Sequence, residues 1–174
     1  PMRSLEMMLL DEKGGASDCG EAVVRTPAMM EGYYERPDLT REVLQDGWLR
    51  TGDVFARDEQ GLYYFKARVK DVIKTGGENV YASEVQAVIL SHPEVQDCVV
   101  KGVPDLVWGE AVAAIVQPMK GSALSPKAIQ DFCKRHLASY KKPQKIGLVD
   151  DLGRDESGKV GADRMNELFS LAES

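Results

Sequence analysis

An α+β fold is predicted for this chain of 174 residues, with a β-rich first part and a second part in which short strands alternate with helices. Three observations predict it. Up to about residue 67 the sequence holds short apolar runs punctuated by glycine turns, the pattern of strands. From about Asp71 onward, apolar residues recur at helical spacing between strand-like runs. Hydrophobic residues make up 43% and charged residues 29%, the balance of a chain that can bury a core in water.

Taken in order, Leu5–Leu10 and Glu21–Arg25 read as strands, separated by the Gly14-Gly15 turn and a loop around Asp18–Gly20. A small helix is expected over Leu39–Gln45, capped by Asp38 or Thr40. After Gly47–Asp53 comes a hairpin that turns at Asp58-Glu59-Gln60-Gly61 and returns along Leu62–Ala67. Ser83 and Gln86 have the spacing of a capping box, and Val85, Val88 and Ile89 share one helical face that Pro93 ends. Val95–Val103 and Ala111–Gln117 read as strands. Ser125-Pro126 combines a cap with proline at the first helical position, and Ile129, Phe132, Cys133 and Leu137 follow at the helical period. Ile146–Val149 is a last strand, and Ala162, Met165, Leu168 and Phe169 stripe a terminal helix. The change of texture places a domain boundary near residues 67–70.

With 28 acidic and 22 basic residues the net charge is −6, which argues against general affinity for nucleic acid or anionic lipid. No run approaches the stretch of about 18 apolar residues that a membrane span needs. Arg3, Glu6 and Asp11 interrupt any apolar run at the start, so no signal peptide is expected. Cys19, Cys98 and Cys133 are odd in number and lack metal-ligand spacing, which fits a reducing cytoplasm. At roughly 150 residues per domain the length suits one domain, or one plus a piece of another. The opening Pro1-Met2, in mid-pattern, is expected of a piece cut from a longer chain.

Three segments combine glycine with a charged group as a nucleotide site would. In Thr51-Gly52-Asp53 a carboxylate after a glycine turn could accept two hydroxyl hydrogen bonds from a ribose, although such a tripeptide is by itself an ordinary turn. In Lys74-Thr75-Gly76-Gly77-Glu78-Asn79 the double glycine allows close approach to a ligand, or simply a tight turn, and matches neither a Walker A loop nor a Rossmann fingerprint. In Ser157-Gly158-Lys159 a lysine on a mobile glycine loop could present a point charge to a developing oxyanion, or could be a solvated surface lysine. Lys141, Lys142 and Lys145 form a basic patch. His92 and His136 are expected on helix faces, and Trp108 as a packing residue at a turn.

Order decides what the single pieces do not. Gly20–Arg25, Gly32-Tyr33-Tyr34, Asp46–Asp53, Ala67–Tyr81, Ser83-Glu84-Val85, His92–Val95, Gly102–Asp105, Trp108-Gly109-Glu110, Tyr140–Pro143 and Ser157–Val160 succeed one another along nearly the whole chain. This series resembles the adenylate-forming superfamily of acyl-CoA synthetases. The resemblance implies that residues 1–69 are the β-rich end of a large N-terminal AMP-binding domain. Residues 70–174 would then be the small C-terminal domain, a short sheet flanked by helices.

The resemblance further implies an ATP-dependent acid–thiol ligase, which joins a carboxylic acid to AMP and then to coenzyme A, with ATP, Mg2+ and coenzyme A required. Lys159 matches the catalytic lysine of adenylation. Asp53 and Arg68 match residues at the ribose, Lys70 matches the hinge, and Gly76 and Gly77 match the pantetheine channel. The basic patch could meet the phosphates of coenzyme A. No residue matches a metal ligand, and the family's phosphate loop has no counterpart here, so this chain alone is expected to be inactive. Four positions depart from the family pattern: Ala67, Ala82, Gln86 and Gly153, the last expected to leave the lysine loop less restrained. The competing readings are an adenylation domain that loads a carrier protein, and an interaction module without catalysis.

Overall fold

Met7–Leu10 and Glu21–Val24 pair antiparallel, and Leu9, Ala22 and Val23 are buried where the strands meet. These belong to β1 (Glu6–Leu10) and β2 (Cys19–Arg25). The turn between them is closed by Asp11, whose Oδ1 accepts from the backbone N–H groups of Lys13 and Gly15, both at 2.8 Å. The computed structural model describes residues 5–171, and the opening Pro1-Met2 and Arg3 lie outside them. The chain divides into two compact units between Lys70 and Asp71.

The first unit is one antiparallel sheet centred on β4 (Trp48–Arg57), which pairs with β2, with the short β3 (Leu44–Gln45) and with β5 (Tyr63–Arg68). Asp58 makes the β4–β5 turn: its Oδ1 accepts from the backbone of Gln60 and Leu62 and its Oδ2 from the Tyr64 hydroxyl. The small helix begins earlier than the sequence suggests, as α1 (Pro37–Val43). Proline takes the first turn, Arg36 is the N-cap without a side-chain bond, and Asp38 pairs with Arg36. Thr40 lies inside the helix and accepts from the Tyr33 N–H, so neither expected cap is one.

The second unit is built on β9 (Gly109–Pro118), which pairs antiparallel with β8 (Val95–Asp105) over nearly its whole length and parallel with β10 (Lys145–Leu148). The hairpin of β6 (Val72–Thr75) and β7 (Glu78–Tyr81) joins β9 at Gly109. Successive residues of a strand face opposite sides of the sheet, and here both sides are covered. Val112, Ala114 and Val116 pack with Val85 and Ile89 of α2 (Ala82–Leu90) and Ile129 and Cys133 of α3 (Pro126–His136). Ala111, Ala113 and Ile115 pack with Leu152 and with Leu168 and Phe169 of α4 (Ala162–Leu171). Residues 111–116 are therefore an unbroken apolar run, as expected of a strand buried on both faces.

Local signals fared differently in the two helices. Ser125 caps α3 through a bond from the Ala128 N–H at 3.2 Å, with Pro126 in the first turn, as the sequence predicts. The capping box on α2 is not formed: Tyr81 is the N-cap, and Gln86 donates from Nε2 to the Cys98 carbonyl instead. A backbone carbonyl on β8 outcompetes the helix terminus for that amide.

Candidate functional site

Thr51-Gly52-Asp53 is not a turn after a strand but part of β4 itself. On β2, Glu21 pairs with Val54 and Val23 with Arg50, so Thr51, Gly52 and Asp53 together stand opposite Ala22 alone. Three residues against one force the strand outward, and Gly52 takes up the distortion at φ +70. Side chains satisfy the freed backbone groups. Thr51 Oγ1 donates to the Ala22 carbonyl at 2.7 Å, and the Gly52 N–H donates to Glu21 Oε1 at 3.1 Å. Arg50 closes on the other oxygen of Glu21.

The bulge sets Asp53 opposite Arg68 of β5. Arg68 Nε lies 2.8 Å from Asp53 Oδ1 in an ion pair that covers this oxygen, while the Asp53 side chain as a whole keeps 28% exposure. Arg68 is more than half exposed, so the pair adds only about 0–1 kcal/mol to stability. The uncovered part of the carboxylate can accept a hydrogen bond.

The double glycine is the two-residue loop of the β6–β7 hairpin, because Thr75 pairs with Glu78. Gly76 and Gly77 have φ of +59 and +83, the signs a tight hairpin turn demands. The β8–β9 turn holds this loop. Asp105 Oδ1 accepts from the Val107 and Trp108 N–H groups, Trp108 O accepts from the Gly76 N–H at 2.9 Å, and Glu110 accepts from the Lys74 N–H at 2.6 Å. The Trp108 ring covers Gly76 so closely that a Cβ there would meet it at 2.8 Å, whereas nothing lies within 4 Å of one at Gly77. Trp108 is half exposed, a cover over glycine rather than a core residue.

Lys159 stands on a small hairpin bridged between Arg154 and Val160. Asp155 ties it from within. Its Oδ1 accepts from Ser157 Oγ at 2.6 Å and from the Ser157 and Lys159 N–H groups at 2.8 and 3.0 Å. Its backbone N–H donates to the Lys159 carbonyl at 2.8 Å. The Ser157 hydroxyl, then the Lys159 N–H, hold the Asp155 carboxyl below its usual range. Arg154 ties the hairpin from outside, to Asp97 and to the Gly158 carbonyl. The loop is therefore a hydrogen-bonded hairpin. Lys159 itself is exposed.

Residues 84–159 match the AMP-binding enzyme C-terminal domain family. The whole chain is similar to the C-terminal part of CoA ligases and ATP-binding enzymes of this kind. It is 37% identical, over 99% of its own length, to a 2-succinylbenzoate–CoA ligase of Geobacillus kaustophilus, of which it covers 36%. It is 38% identical to the long-chain-fatty-acid–CoA ligase FadD13 of Mycobacterium tuberculosis, over 87% of this chain and 30% of that one. Its fold matches the ATP-bound MatB of Rhodopseudomonas palustris with a TM-score of 0.84 at 33% identity, over 95% of this chain and 34% of that one. The chain spans about a third of the length of the relatives it matches.

Other expected sites fall out differently. Lys141 is bound by both oxygens of Glu84, at 2.7 and 2.8 Å, so the basic patch keeps only Lys142 and Lys145 for an anion. His92 lies beyond the end of α2, not on its face, and stacks with His136 around the Phe132 ring. Lys70 is exposed in a single helical turn, Val69–Asp71, at the division between the units. Among the described residues no cluster of His, Cys, Asp or Glu could hold a metal, and no helix is long and apolar enough to cross a membrane. Glu21, Asp97, Glu110 and Arg154 escaped the sequence reading, because each acts through a partner brought close only by the fold.

Proposed function

We propose that this chain is the C-terminal part of an ATP-dependent carboxylate–CoA ligase. Residues 1–69 end its large AMP-binding domain and residues 70–174 are its small domain. The observation that carries this reading is the partly exposed Asp53 carboxylate paired with Arg68 beside the Gly52 bulge, in a chain that also presents an exposed lysine on a braced hairpin.

In the first half-reaction a substrate carboxylate oxygen attacks the α-phosphorus of ATP, and the bond to the bridging oxygen breaks to release pyrophosphate. Mg2+ arrives with ATP. Asp53 accepts from the ribose hydroxyls and fixes the nucleotide, with Arg68 beside the sugar. Lys159 places its ammonium between the carboxylate and the α-phosphate, where negative charge accumulates in the transition state. In the second half-reaction the thiol sulfur of coenzyme A forms a bond to the acyl carbon, its proton is lost, and AMP leaves. Lys70 is the hinge that exchanges Lys159 for the Gly76-Gly77 loop, whose open Gly77 leaves room for the pantetheine arm.

The test is Lys159→Ala in the full-length enzyme. Adenylation should fall by about 10²–10³, on the order of 3–4 kcal/mol of transition-state stabilisation, while thioester formation from supplied acyl-adenylate continues. Equal loss in both half-reactions would refute the role of Lys159.

A further inference from the structure

Among the described residues one side chain ties the lysine hairpin to β8 by hydrogen bonds, beside the apolar packing of Val160 against the same face of the sheet. The Arg154 guanidinium spans the gap between the hairpin and β8. Its Nε lies 2.5 Å from Asp97 Oδ2 and its Nη2 2.8 Å from Asp97 Oδ1, a two-pronged pairing that fixes the guanidinium plane. Its Nη1 donates to the Gly158 carbonyl at 2.7 Å, one peptide bond before Lys159, and Nη2 also reaches the Cys98 carbonyl at 3.4 Å. Asp97 is itself fixed by the Cys98 N–H, which donates to Oδ1 at 2.7 Å. Both side chains are largely covered, at 33% and 24% exposure. The bonds made by Asp155 shape the hairpin internally but do not attach it to anything else.

The geometry points to Arg154 and Asp97 as a positioning pair that fixes the Lys159 backbone relative to the sheet and so sets the lysine for adenylation. This rests on the role given to Lys159 above. An ammonium on a four-carbon stem is a poorly directed charge, and a displacement of about 1 Å in a positioned group can cost on the order of a hundredfold in rate. A rigid root is what makes such a charge useful. Neither residue touches the reacting atoms, so both act only through Lys159.

Two measurements test this. In the chain described here, Arg154→Ala should speed hydrogen exchange at the Gly158 and Lys159 amides at least about tenfold while the β8–β9 amides keep their protection. In the full-length enzyme the same substitution should lower kcat for adenylation by about tenfold to a hundredfold, with KM for ATP nearly unchanged and thioester formation from supplied acyl-adenylate retained. Arg154→Lys should recover only part of the loss, because an ammonium cannot span both carboxylate oxygens and the Gly158 carbonyl at once. Asp97→Asn should behave like Arg154→Ala in both measurements. Unchanged exchange at Gly158 and Lys159 would overturn the anchoring. Faster exchange with normal adenylation would overturn the positioning role, and Lys159→Ala then separates the causes. If that variant is still inactive, only the anchor proposal fails; if it too is active, the lysine assignment has failed with it.

Discussion

The two units bury apolar surface in very different ways. In the second, β9 is covered on both faces and residues 111–116 are essentially inaccessible. In the first, β4 and β5 are paired by backbone hydrogen bonds, yet Leu62, Tyr63, Tyr64 and Phe65 are exposed. A sheet gains stability from what covers it more than from its own ladder. The second unit therefore carries a core of its own, and the first carries a sheet with an uncovered apolar segment. The lysine hairpin and the glycine loop belong to the unit with the core, whereas Asp53 and Arg68 belong to the one without.

The strongest way to break that comparison is to separate the units. Residues 71–174 alone should unfold in a single cooperative thermal transition followed by circular dichroism, and residues 1–70 alone should show none. A cooperative transition in the shorter piece would end the contrast. Next in size is Ile129→Ala, which removes a fully buried side chain between α3 and the sheet. It should cost about 2–5 kcal/mol in urea unfolding of the second unit. Smaller and more local is the pair of glycine substitutions. At either position alanine at positive φ costs about 1–2 kcal/mol, and Gly76→Ala should exceed Gly77→Ala because only its Cβ meets Trp108. Equal costs would mean that the indole does not press on that loop.

The smallest effect is that of acid on the lysine hairpin. Arg154, through its hydrogen bonds, holds the Asp97 carboxyl below its usual range. A lowered carboxyl contributes its full stabilisation above its unfolded value and loses it as pH falls through the folded one. The Asp155 carboxyl, which accepts from the Lys159 N–H, is lowered as well, so protection factors at Gly158 and Lys159 should be flat from about pH 8 to about pH 5 and decline only below about pH 4 as both carboxyls protonate. A decline near neutrality would assign the anchor to another group.

What the sequence revealed depended on how far apart the interacting residues were. Ser125 and Ala128 are three residues apart, so the cap on α3 could be read directly. The buried face of α2 was legible from spacing alone. Ser83 and Gln86 show the limit of such reading: their spacing fits a motif, but Gln86 finds a partner twelve residues away. The bulge at Gly52 is invisible locally, because it exists only as a mismatch against Ala22 on another strand. Asp97 and Arg154 are 57 residues apart, and nothing in either neighbourhood announces the other. Asp53 and Arg68 were singled out through resemblance to a family, and the sheet then placed them opposite each other.

The β8–β9 ladder acts as a ruler within the second unit. Its Asp105–Gly109 end holds the glycine loop through Trp108 and Glu110, and its Asp97 end holds the lysine hairpin through Arg154. Eight residue steps separate Asp97 from Asp105 along β8, roughly 26 Å at about 3.3 Å per step. An interval of that size exceeds the span of a carboxyl–phosphate reaction centre. The lysine hairpin and the glycine loop are thus rooted at opposite ends of one strand pair that is covered on both faces.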